Sequence, residues 1–256
     1  MAHIPELILH DMKGNVTLLR GNIFNTKMQT IVNTVNCDGV MGKGLALAFR
    51  LRYPEMYERY REICRQRLLT VGKLWLYDDD SSQRKVLNFP TKDHWKNPSQ
   101  TAYIKLGLQK FVATYKEHGI TSIAFPMLGT NNGGLDKEEM RPLMREYLSL
   151  CDIPVEIYDY DPDAPDDLIE PLRQAWLTIP PYAMKEVTQI KQQKQIDTID
   201  DLLRHNKVMS MTALAAYPRI GVKTLEHCYR LAKQGSRQIA ELYANGDKKK
   251  AVGDGK

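Results

Sequence analysis

The chain has 256 residues, of which 43% are hydrophobic and 26% charged. That is an ordinary globular mixture, enough for one large domain or for one domain with an appendage. It contains no run of about 18 apolar residues, which excludes a transmembrane helix. The first 15 residues are too short and too broken by Pro5, Glu6 and Asp11 to serve as a signal peptide. Cys37, Cys64, Cys151 and Cys228 are scattered, with no CxxC pair. That argues against a zinc site and against a disulfide scaffold, and makes a reducing cytoplasm the expected location. No metal and no cofactor are expected.

The net charge of +5 is uneven. Residues 181–256 carry 14 Lys and Arg against 8 Asp and Glu, whereas the first 180 residues carry 22 against 23. A basic module beside a neutral one suggests contact with nucleic acid or an acidic protein. A solvated helical tail would have the same composition.

In chain order, Val16–Arg20 reads as a strand ending in Gly21-Asn22-Ile23-Phe24. Thr30–Val35 is almost continuously apolar or β-branched, as a strand buried on both faces would be. Helical patterns follow at 43–52 and, after Pro54, at 55–67. Gly72–Tyr77 and Lys85–Phe89 are further strand candidates, separated by a polar turn. Ser99 is expected to open a helix that runs to Gly119, with Ile104, Leu108, Phe111, Val112 and Tyr115 at helical spacing. Ser122–Met127 reads as a buried strand. A helix should start near Asp136, which with Glu139 has the form of a capping box. Val155–Tyr158 is the last strand of this region.

Strands alternating with helices over 15–160 predict a layered α/β sheet. The acidic, proline-rich stretch 159–168 marks a boundary, and 180–195 reads as a linker. Residues 197–245 look helical, and 211–235 has two helices broken at Pro218–Gly221, a pattern compatible with a helix-turn-helix. Residues 246–256 should be disordered. The division is then 1–162, 163–196 as helix and linker, 197–245 as a small helical module, and a basic tail.

The chemistry concentrates where strands end. Val32–Phe49 reads VNTVNCDGVMGKGLALAF, a strand that breaks into glycines and re-forms as a helix. A P-loop reading fails, because it needs a glycine at 37 and a hydroxyl at 44, where Cys37 and Gly44 stand. A dinucleotide fingerprint fails at Leu47, which would have to be glycine. What remains is a cradle of backbone amides at a helix N-terminus, suited to a diphosphate. Leu128–Leu135, LGTNNGGL, has the same make-up. In parallel sheets ligands bind beyond the carboxyl ends of strands, so both loops should lie on one edge. Glycine is also the usual turn residue, so a single such loop would be read as a turn; two of them favour a ligand. Asn88–Lys96 reaches the same edge with Lys92, Asp93, His94 and Lys96. A lysine whose ammonium is destabilised by burial can attack the anomeric carbon of a sugar.

Together Val32–Phe49, Asn88–Ser99 and Pro126–Asp136 resemble macrodomains of the DNA ADP-ribosyl glycohydrolase type, the DarG antitoxin family related to terminal ADP-ribose glycohydrolases. The likeness spans about 15–160. It implies a three-layer α/β/α macrodomain with a mixed sheet, followed here by a small helical segment. It implies an enzyme that binds ADP-ribose and removes it from thymidine in single-stranded DNA, where a DarT-like toxin attaches it. Carried over by position, Val40, Met41, Gly42, Lys43, Gly44 and Leu45, with Gly129, Thr130, Asn131, Asn132, Gly133, Gly134 and Leu135, would hold the diphosphate and ribose. Asn33, Thr34 and Asn36 would line the distal ribose, and Thr91, beside Lys92, would also bind ADP-ribose. Lys92 matches the family's catalytic lysine, and Asp136 an acidic residue used as acid or base. Lys43 reads as solvent-facing in a loop that works through its backbone amides.

There are two departures from the family. Gly21-Asn22-Ile23 stands where macrodomains usually have Gly-Asp-Ile, whose aspartate holds the adenine amino group. The asparagine carbonyl can accept the same bond without the charge. The segment after 160 does not match the larger toxin-binding domain usual in the family, so direct toxin neutralisation does not follow. Two other readings stay open. One is a macrodomain that reads ADP-ribose without cleaving it, or hydrolyses protein-linked or acetylated ADP-ribose. The other is a DNA-binding regulator acting through 197–245.

Overall fold

The computed structural model describes residues 6–7, 14–79, 84–235 and 239. The chain divides into two compact units, Met1–Ala164 and Pro165–Lys256.

The first unit is built on strands β1 (Glu6–Leu7), β2 (Val16–Gly21), β3 (Thr30–Val35), β4 (Trp75–Asp79), β5 (Arg84–Pro90), β6 (Ile123–Pro126) and β7 (Val155–Tyr160). They form one seven-stranded sheet in the order β1-β2-β7-β6-β3-β5-β4. The five central strands are mutually parallel, and β1 and β4 pair antiparallel at the two edges. The sheet is therefore mixed.

Four helices cover it: α1 (Gly44–Arg52), α2 (Pro54–Arg65), α3 (Thr101–Thr114) and α4 (Lys137–Leu148). Successive strand residues point to opposite faces, and both faces here are covered. On β3, Ile31 and Val35 join Phe49, Met56 and Tyr60 of α1 and α2, while Val32 joins the cluster of Ile104, Leu108 and Phe111 on α3 and Met140, Met144 and Leu148 on α4. β5 alternates the same way, with Val86 on the first side and Leu87 and Phe89 on the second. The result is the three-layer α/β/α arrangement. Continuous apolar runs, rather than alternating ones, are its sequence signature.

Several boundaries move. The strand expected at Gly72–Tyr77 is Trp75–Asp79, because Val71 and Gly72 turn, with Gly72 at φ 82°. The helix expected from Ser99 to Gly119 is Thr101–Thr114. Gln100 is extended at its start, and residues 115–119 form turns ending at Gly119, φ 61°.

The second unit contains α5 (Ile169–Leu177), α6 (Met184–Thr188), α7 (Gln193–Arg204), α8 (Met211–Ala216) and a helix over 222–235. The stretch 180–195, read as a linker, is instead folded: a 3-10 turn at Pro181–Ala183 leads into α6, and Met184, Thr188 and Ile190 are buried. Trp176, Ile199, Leu203, Met211 and Leu214 share this unit's interior. The buried Asp166 carboxylate accepts from Leu168 N and Ile169 N at 3.1 and 3.0 Å, and from Met211 N at 2.8 Å, tying the start of α5 to the start of α8. Residues 165–196 and the following helices therefore fold together. The break between α8 and the last helix falls at Tyr217–Gly221, with Arg219 at φ 71°. The reading of 246–256 as a disordered tail lies outside the described residues, as does the end of the 197–245 module. Among the described residues no helix is long and apolar enough to cross a membrane.

Candidate functional site

Because β2, β7, β6, β3 and β5 run parallel, their carboxyl ends share one edge. Three segments leave that edge: 36–44 after β3, 91–100 after β5 and 127–136 after β6. They contact one another. Lys92 Nζ donates to the main-chain oxygen of Asn132 at 2.7 Å. Ser99 N donates to Gly133 O at 2.9 Å. Gly44 opens α1 at φ 55°, and a Cβ there would lie 2.5 Å from Asn132 Nδ2. The backbone angle favours glycine at 44, while the Asn132 side chain, exposed and flexible, could give way.

The first loop is held by Asn36. Its Oδ1 accepts from Asp38 N at 3.0 Å and Val40 N at 3.2 Å, and its Nδ2 donates to Val40 O at 2.6 Å. Tyr60 on α2 donates its hydroxyl to Asn36 O at 2.7 Å. Asn36 thus shapes the loop, with its side chain turned into it. Met41 is fully buried in the core beneath. Gly42 and Lys43 are exposed, the latter as the sequence suggests. The N–H groups of Gly44, Leu45 and Ala46 open α1, where no intrahelical acceptor exists for them. These donors, with the positive end of the helix dipole, suit a phosphate. We expect Asn36→Ala to leave the partly buried N–H groups of Asp38 and Val40 without this partner. The cost should be about 1–3 kcal/mol in thermal or urea melts, with weaker ADP-ribose binding by calorimetry.

The second loop is tighter than an open amide cradle. Gly133 N and Gly134 N both bond Thr130 O, and Leu135 N bonds Gly129 O at 3.0 Å. Thr130 Oγ1 donates to Met127 O at 3.0 Å. Those three amides close the turn on itself, while Asn131 and Asn132 are exposed. Leu135 is half-buried.

Asp136 is the N-cap of α4, and its Oδ1 accepts from Glu138 N at 2.8 Å. That is one residue earlier than the capping box with Glu139 supposes. Cap and catalyst are separable here. Asp136→Ala should cost about 0.5–2 kcal/mol through the lost cap. Asp136→Ser should keep the cap, so a fall in turnover in the serine variant at unchanged melting temperature would identify acid–base work.

Asn33 and Asn22, like Met41, are buried below the surface of this edge. Asn33 is fully buried on β3, and its Nδ2 donates to Asn88 Oδ1 at 2.9 Å on the paired position of β5. Asn22 lies at the end of β2, caps the 3-10 turn Ile23–Asn25 and is 2% exposed. Its Oδ1, assigned above to an adenine amino group, accepts from Phe24 N at 3.2 Å. Its Nδ2 is buried without a partner, so a donor is left over beside the oxygen. Ile23 is buried beside it, Thr91 is buried beside Lys92, and Thr34 is half-buried.

Cys37 is the rival nucleophile at this edge, with its Sγ 3.4 Å from Lys92 O. Burial, reinforced by the nearby Asp93 carboxylate, pushes its thiol up to about 12. It stays protonated near neutrality and is inert as a nucleophile. The Lys92 amine stands at the same junction of the loops. Sequence reasoning missed Tyr60 and Ser99: Tyr60 reads as one more apolar position of α2, and Ser99 as a helix start. Neither carries a local signal, since each acts through a main-chain oxygen far along the chain.

The sequence matches the Macro domain family over residues 32–144. A DNA ADP-ribosyl glycohydrolase from Mycobacterium tuberculosis is 41% identical over 146 residues, 56% of this chain and 42% of that protein. The solved macrodomain of Mycobacterium tuberculosis DarG is 40% identical, with 57% of this chain and 98% of that one covered and a TM-score of 0.55. From Thermosipho africanus come a DNA ADP-ribosyl transferase–DNA ADP-ribosyl glycohydrolase fusion protein, 40% identical over 161 residues with 56% and 42% covered, and a structure of DarTG in complex with ADP-ribose, 40% identical with 58% and 42% covered at a TM-score of 0.56. The chain spans less than half the length of these full-length relatives. With nearly the whole solved DarG macrodomain matched in sequence and in fold, the chain belongs to the macrodomain family.

Proposed function

We propose that the protein binds ADP-ribose and removes it from thymidine in DNA by hydrolysing the N-glycosidic bond to the base. The observation that carries this reading is the ammonium of Lys92 at the meeting point of three strand-end loops, on the neutral carbonyl of Asn132 rather than on a carboxylate. A residue that only recognised ADP-ribose would have no need of an amine there. The names of the relatives support the same reaction, and a DarTG structure that holds ADP-ribose supports the ligand.

In this reading the α1 amides hold the diphosphate, and Lys92 faces the anomeric carbon. Either its free amine attacks that carbon, or its ammonium stabilises the negative charge that develops on the departing base; Asp136 gives that base its proton, and water then takes the base's place on the anomeric carbon, directly or by displacing Lys92. The protein then reverses the modification made by a DarT-like DNA ADP-ribosyltransferase and acts as its antitoxin, a role supported by the relative in which both activities share one chain. The four free cysteines suit a reducing cytoplasm. The basic excess after residue 180 supports strand binding through phosphates.

The test is incubation of the full chain with an ADP-ribosylated single-stranded oligonucleotide. Release of free ADP-ribose and recovery of the unmodified strand are expected. ADP-ribose binding by calorimetry with no release from DNA, protein or acetylated ADP-ribose would instead identify a reader.

A further inference from the structure

Trp95 stands three residues beyond Lys92 and is 47% exposed, whereas Trp176 is fully buried and Trp75 half-buried. Its backbone is firmly held. Trp95 N donates to Asp38 Oδ2 at 2.8 Å, and His94 Nδ1 lies 2.5 Å from the same oxygen. Cys37 N donates to Asp93 O at 3.2 Å, and Asn97 N to His94 O at 3.0 Å. The indole is therefore a side chain in water on a pinned turn, and it belongs to neither apolar cluster of the first unit. Lys96 Nζ lies 5.2 Å from its ring centroid, and the His94 ring meets it edge-on at 6.2 Å.

We propose that Trp95 is a stacking platform for a nucleobase adjacent to the modified one, with Lys96 placed to meet the phosphate of that strand. This rests on the reading of ADP-ribosylated single-stranded DNA as the substrate. The apolar area offered here is one ring, flanked by His94, Lys96 and Asn97, so it fits a base better than the broad patch a protein partner needs. An aromatic face beside a cation is how single strands are held without regard to sequence. Three chain steps span at most about 11 Å, so a strand whose modified sugar lies at Lys92 has its neighbouring bases within reach of Trp95.

Two measurements test this on the full chain. In the first, tryptophan emission is followed as unmodified single-stranded oligonucleotide is added. Quenching is expected that weakens with salt and disappears in Trp95→Ala. Absence of quenching by the strand, or equal quenching by inorganic polyphosphate, which has no bases, overturns the platform. In the second, Trp95→Ala should raise KM for a modified oligonucleotide about tenfold, the low end to middle of base-stacking energies. Its kcat, its melting temperature and its KM for a single ADP-ribosylated nucleotide should stay unchanged, and Trp95→Phe should restore the oligonucleotide KM. An equal change for both substrates overturns the proposal. If the wild-type chain cleaves neither substrate, the proposed reaction fails, while quenching still decides whether Trp95 holds a strand.

Discussion

Lys92→Ala is expected to lower release of ADP-ribose from modified DNA by at least about 10²-fold, with only a small loss of folding stability. The two effects separate because of what Lys92 touches. Its ammonium is half-exposed and bonds one neutral main-chain oxygen. Removing such a bond at the surface costs about 0.5–1.5 kcal/mol at most, so the variant should fold and still bind ADP-ribose through the α1 amides. Lys92→Arg sharpens the result. A guanidinium keeps the positive charge and can still donate to Asn132 O, but it does not deprotonate and is no nucleophile. Loss of turnover in both variants supports attack by the amine. Activity in the arginine variant alone would assign Lys92 to charge stabilisation, and full activity in the alanine variant would remove it from the chemistry. Single-turnover cleavage with calorimetry on the same preparations makes the distinction.

The largest stability effect is expected at Gly107. On α3 it faces Phe89, a fully buried ring on β5. A Cβ at 107 would lie 2.5 Å from Cε1 of that ring and closer still to Cζ. Alanine is favoured over glycine within helices by about 0.5–1 kcal/mol, so on propensity alone Gly107→Ala would stabilise. Packing opposes it: the ring is enclosed on all sides, and forcing a methyl into a filled core costs about 1–3 kcal/mol and more where nothing can give. Net destabilisation is expected, read as a lower urea midpoint of the full chain. A raised midpoint would show that Phe89 can yield. Phe89 lies three residues before Lys92, so a displaced ring should also lower turnover.

The layered fold was legible because a sheet covered on both faces writes itself as short, nearly continuous runs of apolar and β-branched residues. Thr30–Val35 and Ile123–Pro126 stand out for that reason. The convergence of the strand-end loops followed from parallel strands alone. The edges were less legible. Glu6–Leu7 is too short to carry a pattern, and 180–195 looked like a linker because its four buried side chains, Ala183, Met184, Thr188 and Ile190, follow no regular spacing. Within the site, local motifs named the loops but not how each is held. Asn36 turns its amide into its own loop, and Asn33 turns away to Asn88. Gly133, Gly134 and Leu135 spend their N–H groups on Thr130 and Gly129. Such bonds depend on side-chain direction and chain closure, which spacing does not encode. The Asp-to-Asn departure at Asn22 was visible, but its consequence was not, since only the structure turns the amide so that its oxygen serves Phe24.

The bond between Lys92 and the carbonyl of Asn132 has a consequence for how this site can vary through evolution. The acceptor is a peptide oxygen, which every amino acid supplies equally. The side chain at 132 can change to anything compatible with the close approach of Gly44 while the lysine keeps its resting partner. The resting place of the Lys92 nitrogen is thus inherited with the path of the chain rather than with a residue. A survey of substitutions at 132 would see an apparently dispensable asparagine, although the atom that parks the lysine belongs to it.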